Sequence, residues 1–192
     1  MLKKIIGVTG TFCSGKDTIA DYLVKNGFFY LSLSDLVREE CLRRNCYNGR
    51  DDLIRVANEL RQNHGFGILA KMALERIEEK EKVVIASIRN PGEVEEFKKN
   101  INFFMINVEA PIEIRYKRVQ QRGKIDDEVN FEKFKAQEDF ERKGSGPQQQ
   151  LDKVASMADY TIINDGTVDD LNKKIDQILS KIKGFVSDVS SE

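Results

Sequence analysis

The sequence has few of the residues that mark a secreted or a zinc-stabilised protein. It contains three cysteines and one histidine among 192 residues. Cys13, Cys41 and Cys46 form no CxxC pair, and with only His64 beside them they do not form a zinc-ligand pattern. An odd number of cysteines without a secretory signal is typical of a reducing compartment. We therefore expect a cytoplasmic protein.

An excess of one charge and a long apolar run are also absent. The 31 basic and 32 acidic residues give a formal net charge of −1, whereas nucleic-acid-binding proteins usually carry a strong basic excess. The apolar run within residues 1–6 is too short for a signal peptide or a membrane span. We expect a monomer or homodimer that binds neither nucleic acid nor membranes.

Short apolar segments alternate with helix-like segments along the chain. With 40% hydrophobic and 33% charged residues, the chain can form a packed core. The strand-like segments are apolar throughout, which is typical of parallel strands covered on both faces. They are residues 5–9, 28–31, 83–86, 103–108 and 160–163. This order predicts an α/β P-loop NTPase fold: a three-layer sandwich with a five-stranded parallel sheet and a small lid.

Helical patterns fill the intervals between the predicted strands. They are residues 16–25, 34–44, 51–63, 66–79, 91–99, 112–121 and 168–182. Glu138 and Glu141 are expected on the solvated face of another helix, which ends at the loop 144–147. We predict one P-loop domain over residues 1–183, with acceptor-binding helices at 34–80, a lid at about 122–130 and a flexible tail at 184–192.

Residues 10–16, Gly-Thr-Phe-Cys-Ser-Gly-Lys, match the first seven positions of the Walker A pattern. The pattern follows an apolar strand and opens a helix, as phosphate binding by backbone N–H groups requires. Lys16 is expected to bridge the β- and γ-phosphates of ATP during transfer. The predicted ATP contacts are Gly10, Thr11, Cys13, Ser14, Gly15, Lys16, Asp17 and Thr18.

The position after Lys16 departs from the pattern, because Asp17 stands where a Ser or Thr hydroxyl usually binds Mg²⁺. A carboxylate is also a hard oxygen ligand, so Asp17 can hold magnesium directly or through water. Alternatively, Asp17 caps the helix and Thr18 meets the metal. The sequence favours Asp17 near the metal and keeps both as candidates.

The rest of the chain distinguishes between classes of P-loop protein. The nearest match to the base-reading motif of GTPases, residues 172–176, is one residue too long and lies inside an amphipathic helix. An AAA-type motor needs an acidic strand end, but the strand at 83–86 is followed by Ser87. A small-molecule kinase instead needs arginines around two phosphate-rich substrates. Arg38 and Arg89 each follow a predicted strand, and a basic cluster contains Arg118, Arg122 and Lys124.

Four segments resemble elements of known kinase families. Residues 34–38 are similar to the Gly-Asp-Leu-Leu-Arg element of adenylate kinases, and residues 85–89 to the strand-plus-Arg element of nucleoside monophosphate kinases. In the second segment Ala-Ser replaces the usual Asp-Gly. Residues 115–122 resemble lid arginines, and residues 158–166 resemble the Ala-Asp-x-x-Ile-x-Asn-x-Gly element of dephospho-CoA kinases. The run as a whole, from Ile5 to Leu179, is most similar to an adenylate-kinase-related, dephospho-CoA-kinase-like P-loop family.

This resemblance implies roles for further residues. It implies transfer assisted by Lys16, Asp35, Arg89 and Arg122, and ATP contacts from Arg118, Asn164 and Gly166. It implies acceptor binding by Asp35, Arg38, Arg61, Arg89, Glu93 and Lys124. A cap of the following helix is an equal alternative for Asp35, and a structural ion pair is the alternative for Arg89.

The expected activity is transfer of the γ-phosphate of ATP, with Mg²⁺, to a small phosphorylated acceptor. A nucleoside monophosphate, a deoxynucleoside monophosphate and dephospho-CoA all fit the motifs, and the two strand-end arginines favour a nucleoside monophosphate. A nucleotide-binding regulatory protein with weak ATPase activity is the alternative from another class. The absent acid at Ala86 is its main support.

Overall fold

A computed structural model describes residues 4–47, 49–100, 102–122 and 130–182. It contains one sheet of five strands, all paired in parallel, in the order β2-β3-β1-β4-β5. The strands are β1 (Lys4–Gly10), β2 (Phe29–Ser32), β3 (Lys82–Ala86), β4 (Phe103–Glu109) and β5 (Tyr160–Ile163). The five-stranded parallel sheet predicted from the sequence is confirmed.

Helices connect all the strands and cover the sheet. They are α1 (Lys16–Lys25), α2 (Leu33–Arg43), α3 (Arg50–His64), α4 (Ile68–Arg76), α5 (Pro91–Lys98), α6 (Ile112–Arg122), α7 (Phe131–Lys143), α8 (Leu151–Ser156) and α9 (Val168–Lys181). The short helix α8 was not predicted. The predicted tail (184–192) lies outside the described residues, and so does the predicted lid (about 122–130) except for its two end positions.

The sheet separates two hydrophobic cores. Successive strand residues point to opposite faces, so Ile5 belongs to one core and Ile6 to the other. Helices α2, α3, α4, α5 and α8 contribute to the first core, whereas α1 and α9 cover the second. This arrangement is the three-layer sandwich expected from strands that are apolar on both faces.

The strand order determines where a ligand can bind. The central strand β1 ends at Gly10, and its neighbour β3 ends at Ala86. Because the strands are parallel, the segment before α1 and the segment after β3 lie at the same edge of the sheet, where open α/β sheets bind ligands. Among the described residues, no helix is long and apolar enough to cross a membrane.

Candidate functional site

The loop between β1 and α1 has the backbone of a phosphate-binding loop. Gly10 has φ +146° and Gly15 has φ +105°, a region that favours glycine. A Cβ atom on Gly15 would lie 2.1 Å from Nδ2 of Asn164, and one on Gly10 would lie 2.3 Å from the carbonyl oxygen of Val108. The two glycines therefore allow the loop to curl tightly before α1 begins at Lys16.

Two buried polar groups of this loop are suited to an anionic ligand. The Ser14 hydroxyl is buried and has no hydrogen-bond partner among the described residues. Lys16 is also buried, and its Nζ donates to the carbonyl oxygen of Thr11 at 3.3 Å. Burial lowers the pKa of Lys16 below its ordinary value, because the charged ammonium loses hydration. A phosphate at the loop would restore a partner for that charge, so these residues fit a nucleotide phosphate.

Two predicted ATP-contact residues from distant segments meet at this loop. Arg118 of α6 donates to the carbonyl oxygens of Cys13 and Ser14 at 3.3 and 3.4 Å, and to that of Asn164 at 3.2 Å. Asn164 follows β5 and donates from Nδ2 to the carbonyl of Ser14 at 2.7 Å. Gly166 lies just before the capping box that begins α9. The structure thus brings Arg118 and Asn164 to the phosphate loop.

Both candidate metal ligands lie in the first turn of α1. The Asp17 side chain is exposed, and that of Thr18 is partly buried. Within the described ranges, no cluster of three or more His, Cys, Asp or Glu side chains could hold a metal ion. Mg²⁺ commonly uses one or two protein ligands together with nucleotide phosphates and water, so this helix start fits a nucleotide-bound magnesium. Both residues remain predictions as ligands.

A cavity of about 390 Å³ opens beside the phosphate loop. Its apolar wall comes mainly from α2, α3 and three aromatic rings, and four arginines supply its charge. The lining residues are Phe12, Leu33, Ser34, Val37, Arg38, Tyr47, Arg50, Leu53, Ile54, Ala57, Asn58, Arg61, Leu69, Ser87, Arg89, Val119, Phe134, Gln137 and Gln149. The predicted acceptor residues Arg38, Arg61 and Arg89 therefore share one cavity.

Arg38 and Arg89 face the cavity with different surroundings. Arg38 pairs with Asp35 one turn earlier in α2, and both side chains are substantially exposed. Arg89 is 27% exposed, donates to Oε1 of Gln149 at 2.9 Å and lies 4.0 Å from Glu141. Burial lowers the pKa of Arg89, yet a guanidinium stays charged in proteins. Both cations are thus placed to meet an anionic ligand.

Arg61 and Glu93 form an ion pair inside the protein. The Arg61 side chain is 2% exposed and that of Glu93 is 0% exposed, with 2.8 Å between Nη2 and Oε1. Oε2 of Glu93 also accepts from the backbone N–H groups of Arg89 and Asn90, at 2.8 and 3.1 Å. The structure therefore does not bring the Glu93 carboxylate to the cavity, and its contacts hold α5 and the Arg89 backbone in place.

Helix α7 differs from the solvated face predicted for it. Glu141 is buried, with 8% of its side chain exposed, and pairs with Arg50 at the start of α3. Glu138 is 10% exposed and pairs with the buried Arg115. The prediction that Glu138 and Glu141 face solvent was wrong, because α7 packs against α3 and α6 through these ion pairs. Sequence alone gave no signal for partners 91 and 23 residues away.

The end of β3 carries serine hydroxyls at the place where the resembling kinase element has an aspartate. Ser87 has φ +64°, an uncommon conformation for a residue other than glycine. Its hydroxyl accepts from Ser32 at 3.2 Å and from Ser34 at 3.0 Å. No role was predicted for this three-serine cluster, of which Ser34 and Ser87 line the cavity. Lys124 lies outside the described residues, as does the side chain of Arg122.

Solved structures share this architecture at low sequence identity. TT1252 from Thermus thermophilus has a TM-score of 0.62 at 22% identity, with 96% of this chain and 100% of that chain covered. Shikimate kinase from Bacteroides thetaiotaomicron gives 0.55 at 17% identity, covering 92% and 98%. Dephospho-CoA kinase from Campylobacter jejuni gives 0.50 at 16% identity, covering 95% and 98%. The chain has a P-loop kinase-like fold, and the specific likeness to adenylate kinases stays a prediction.

Sequence comparison identifies the family. A family model described as an AAA domain matches residues 6–141, although the strand end at Ala86 had argued against an AAA-type motor. The match concerns the P-loop domain and does not assign a motor activity. A UPF0200 protein from Sulfurisphaera tokodaii is 34% identical over 181 residues, covering 94% of this chain and 98% of that protein. The chain therefore belongs to the UPF0200 family and contains its AAA-type P-loop domain.

Proposed function

We propose that this protein is an ATP-dependent phosphotransferase that moves the γ-phosphate to a small phosphorylated acceptor, a nucleoside or deoxynucleoside monophosphate. The position of Arg89 is the observation that carries this proposal. Arg89 lines the same cavity as Phe12 of the phosphate loop, and its positive charge adds to the effect of burial in lowering the pKa of Lys16. A cation that is close to both sites is placed where a phosphoryl group would cross between them.

The donor side of the site is the phosphate loop. Its curled backbone, the N-terminus of α1 and the buried Lys16 provide N–H groups and positive charge for the ATP phosphates. Asp17 and Thr18 are the candidate ligands for the magnesium that ATP carries. Arg118 and Asn164 hold the loop from the side of α6 and β5.

The acceptor side combines charge with an apolar wall. Arg38 and Arg89 are the candidate partners of an acceptor phosphate, and guanidinium groups bind phosphate oxygens in a bidentate manner. Phe12 and Phe134 offer aromatic rings for a flat base, and their centroids are 6.3 Å apart. A volume of about 390 Å³ is in the range of small-molecule sites. This composition suits a phosphorylated molecule with one planar ring system.

Little covalent chemistry is required of the protein in this reaction. Positioning and neutralisation of charge carry most of the catalysis of phosphoryl transfer. We assign neutralisation to Lys16 and Arg89, with Arg122 and Lys124 added from the predicted lid. Asp35 is the candidate group to orient the acceptor, and in the structure it pairs with Arg38. Closure of a lid would exclude water and so limit hydrolysis of ATP.

Two other functions have specific support. A dephospho-CoA-kinase-like enzyme is supported by the contact between Asn164 and the phosphate loop, in the segment that resembles those kinases. A regulatory protein with weak ATPase activity is supported by the strand end, where Ala86 and Ser87 replace the usual acid. A dephospho-CoA-kinase-like enzyme would differ from our proposal in the acceptor that it phosphorylates. A regulatory protein would differ in showing no turnover that depends on an acceptor.

A coupled kinase assay tests the proposal. ATP·Mg²⁺ is supplied with a panel of acceptors: AMP, CMP, UMP, GMP, their deoxy forms and dephospho-CoA. Formation of ADP that depends on a nucleoside monophosphate, and that is lost in Lys16→Ala, would support it. Acceptor-independent ADP formation would favour the regulatory function, and normal transfer by Lys16→Ala would contradict the whole scheme.

A further inference from the structure

A three-residue ion cluster joins α3, α7 and the end of β3 at the acceptor cavity. Arg50 is the first residue of α3 and pairs with Glu141 near the end of α7. Arg89 lies 4.0 Å from the other oxygen of the same carboxylate. The Glu141 side chain is only 8% exposed, whereas Arg50 and Arg89 are 39% and 27% exposed. One buried carboxylate is therefore shared by two cations that line the cavity.

The charges around the cavity do not balance. Among the described residues, its four arginines face three carboxylates, because Arg38 pairs with Asp35, Arg61 pairs with Glu93, and two arginines share Glu141. Lys16 is a further buried cation near this group, and Asp17 is the opposite charge that acts most strongly on it. Unbalanced charge in a partly buried site is costly unless an anion neutralises it. The surplus positive charge belongs to Arg50 and Arg89, which share the carboxylate of Glu141.

Arg50 lies over an aromatic ring of the phosphate loop and also lines the cavity. Its guanidinium carbon lies 5.4 Å from the centroid of the Phe12 ring, which belongs to the phosphate loop. By contrast, Arg61 is almost fully buried and directs its donors to Glu93, Asn58 and the carbonyl oxygen of Pro147. Arg50 is therefore the better candidate for contact with a ligand.

We propose that Arg50 binds the phosphate group of the acceptor together with Arg89, and that Glu141 is their internal counter-ion. This proposal rests on the proposed function only in naming the ligand as the acceptor of a phosphoryl group. The site itself is one that binds a phosphate monoester. Glu141 holds both guanidinium groups in the cavity and balances part of their charge. A phosphate would bind two guanidinium groups that Glu141 already holds in position, which reduces the entropy lost on binding.

The test uses inorganic phosphate as the probe. The phosphate loop is first filled with a non-hydrolysable ATP analogue and Mg²⁺, which also occupies the γ-phosphate position, so that the probe reports on the second site. Calorimetric titration compares the wild type with Arg50→Ala, Arg50→Lys and the control Arg55→Ala. Arg55 is on the same helix, outside the cavity, and pairs with Asp52 and Glu59 at the surface. Loss of a charged hydrogen bond predicts phosphate binding about 10- to 100-fold weaker in Arg50→Ala. Arg50→Lys should be intermediate, and Arg55→Ala should match the wild type.

Glu141→Gln provides the second arm. It keeps an oxygen that accepts from Arg50 but removes the negative charge, so phosphate should bind about 10-fold more tightly. A merely structural role for Glu141 would leave phosphate affinity unchanged or reduce it, and that result would overturn its assignment as counter-ion. Wild-type affinity in Arg50→Ala, or no phosphate binding by the wild type, would overturn the site.

Kinetics separate this proposal from the proposed function. If a nucleoside monophosphate is phosphorylated, Arg50→Ala should raise the KM for that acceptor and leave the KM for ATP near the wild-type value. An unchanged KM for the acceptor would overturn the assignment of Arg50. If no acceptor on the panel is phosphorylated but phosphate binding depends on Arg50, the kinase proposal fails while the phosphate site stands.

Discussion

The substitution Glu93→Gln tests how the acceptor cavity is supported. Glu93 is fully buried and shares Oε1 with two nitrogens of Arg61, at 2.9 and 2.8 Å. Its other oxygen accepts from the backbone N–H groups of Arg89 and Asn90. Glutamine has almost the same shape but no charge, so Arg61 would become a buried cation without its carboxylate.

Glu93→Gln should lower the free energy of unfolding substantially, although it only replaces a carboxylate oxygen by an amide nitrogen. Breaking a buried ion pair by removing one partner costs about 3–5 kcal/mol. A typical domain has only about 5–15 kcal/mol of unfolding free energy, so the variant should be marginally stable. The double variant Arg61→Met/Glu93→Gln removes both charges and should be more stable than Glu93→Gln alone.

Urea unfolding followed by circular dichroism measures these free energies, with an unchanged m-value as the check on two-state behaviour. Glu95→Ala is the matched control, because Glu95 is exposed on the same helix and should change stability by less than about 0.5 kcal/mol. A loss below about 1 kcal/mol in Glu93→Gln, combined with a raised KM for the acceptor, would refute the structural role. It would then support the substrate contact predicted from the sequence.

Three further predictions concern the phosphate loop and its surroundings. Because burial lowers the pKa of Lys16 and nucleotide phosphates favour its charged form, ATP binding should take up a proton once the pH exceeds that lowered pKa, and ATP affinity should fall as the pH rises further. Calorimetry in buffers of different ionisation enthalpy measures the uptake. Gly15→Ala should weaken ATP binding in a titration, since Gly15 has φ +105° and a Cβ there would displace the Asn164 amide that donates to the Ser14 carbonyl. Asn90→Ala should cost about 2–3 kcal/mol in urea unfolding, because the Gln148 carbonyl loses its Asn90 donor, the Gly146 carbonyl keeps only its bond from Gln150, and α5 loses its N-cap.

Much of the fold could be predicted because its pattern is local. The run at β1 is apolar and fully buried between its ends, so periodicity alone identifies a central parallel strand. The helix α1 was predicted with its observed bounds, since Gly15 and the following polar start mark its N-terminus. The helix α8 was missed because six residues are too few to show a helical period.

The candidate site could be predicted only where a motif marks it. The phosphate loop is one continuous segment, and Arg38 and Arg89 each follow a strand whose end lies at the ligand edge. Arg50 and Glu141 are 91 residues apart, and nothing in their local sequence indicates that they meet. Charged residues of a helix look solvated in sequence whether they face water or an arginine of another helix. Long-range ion pairs therefore need the three-dimensional structure.

The strand end without an acid restricts how magnesium can be held. Where a carboxylate would follow β3, Ser32, Ser34 and Ser87 form a neutral cluster of hydroxyls joined by hydrogen bonds. Neutral hydroxyls attract a divalent cation less strongly than a carboxylate does, so the protein charge nearest to the metal would come from Asp17. Loss of Asp17 should then weaken binding of ATP·Mg²⁺ more than binding of metal-free ATP, which repels that carboxylate. Titrations of Asp17→Asn with and without Mg²⁺ measure this difference, and equal effects in both would assign the metal to Thr18.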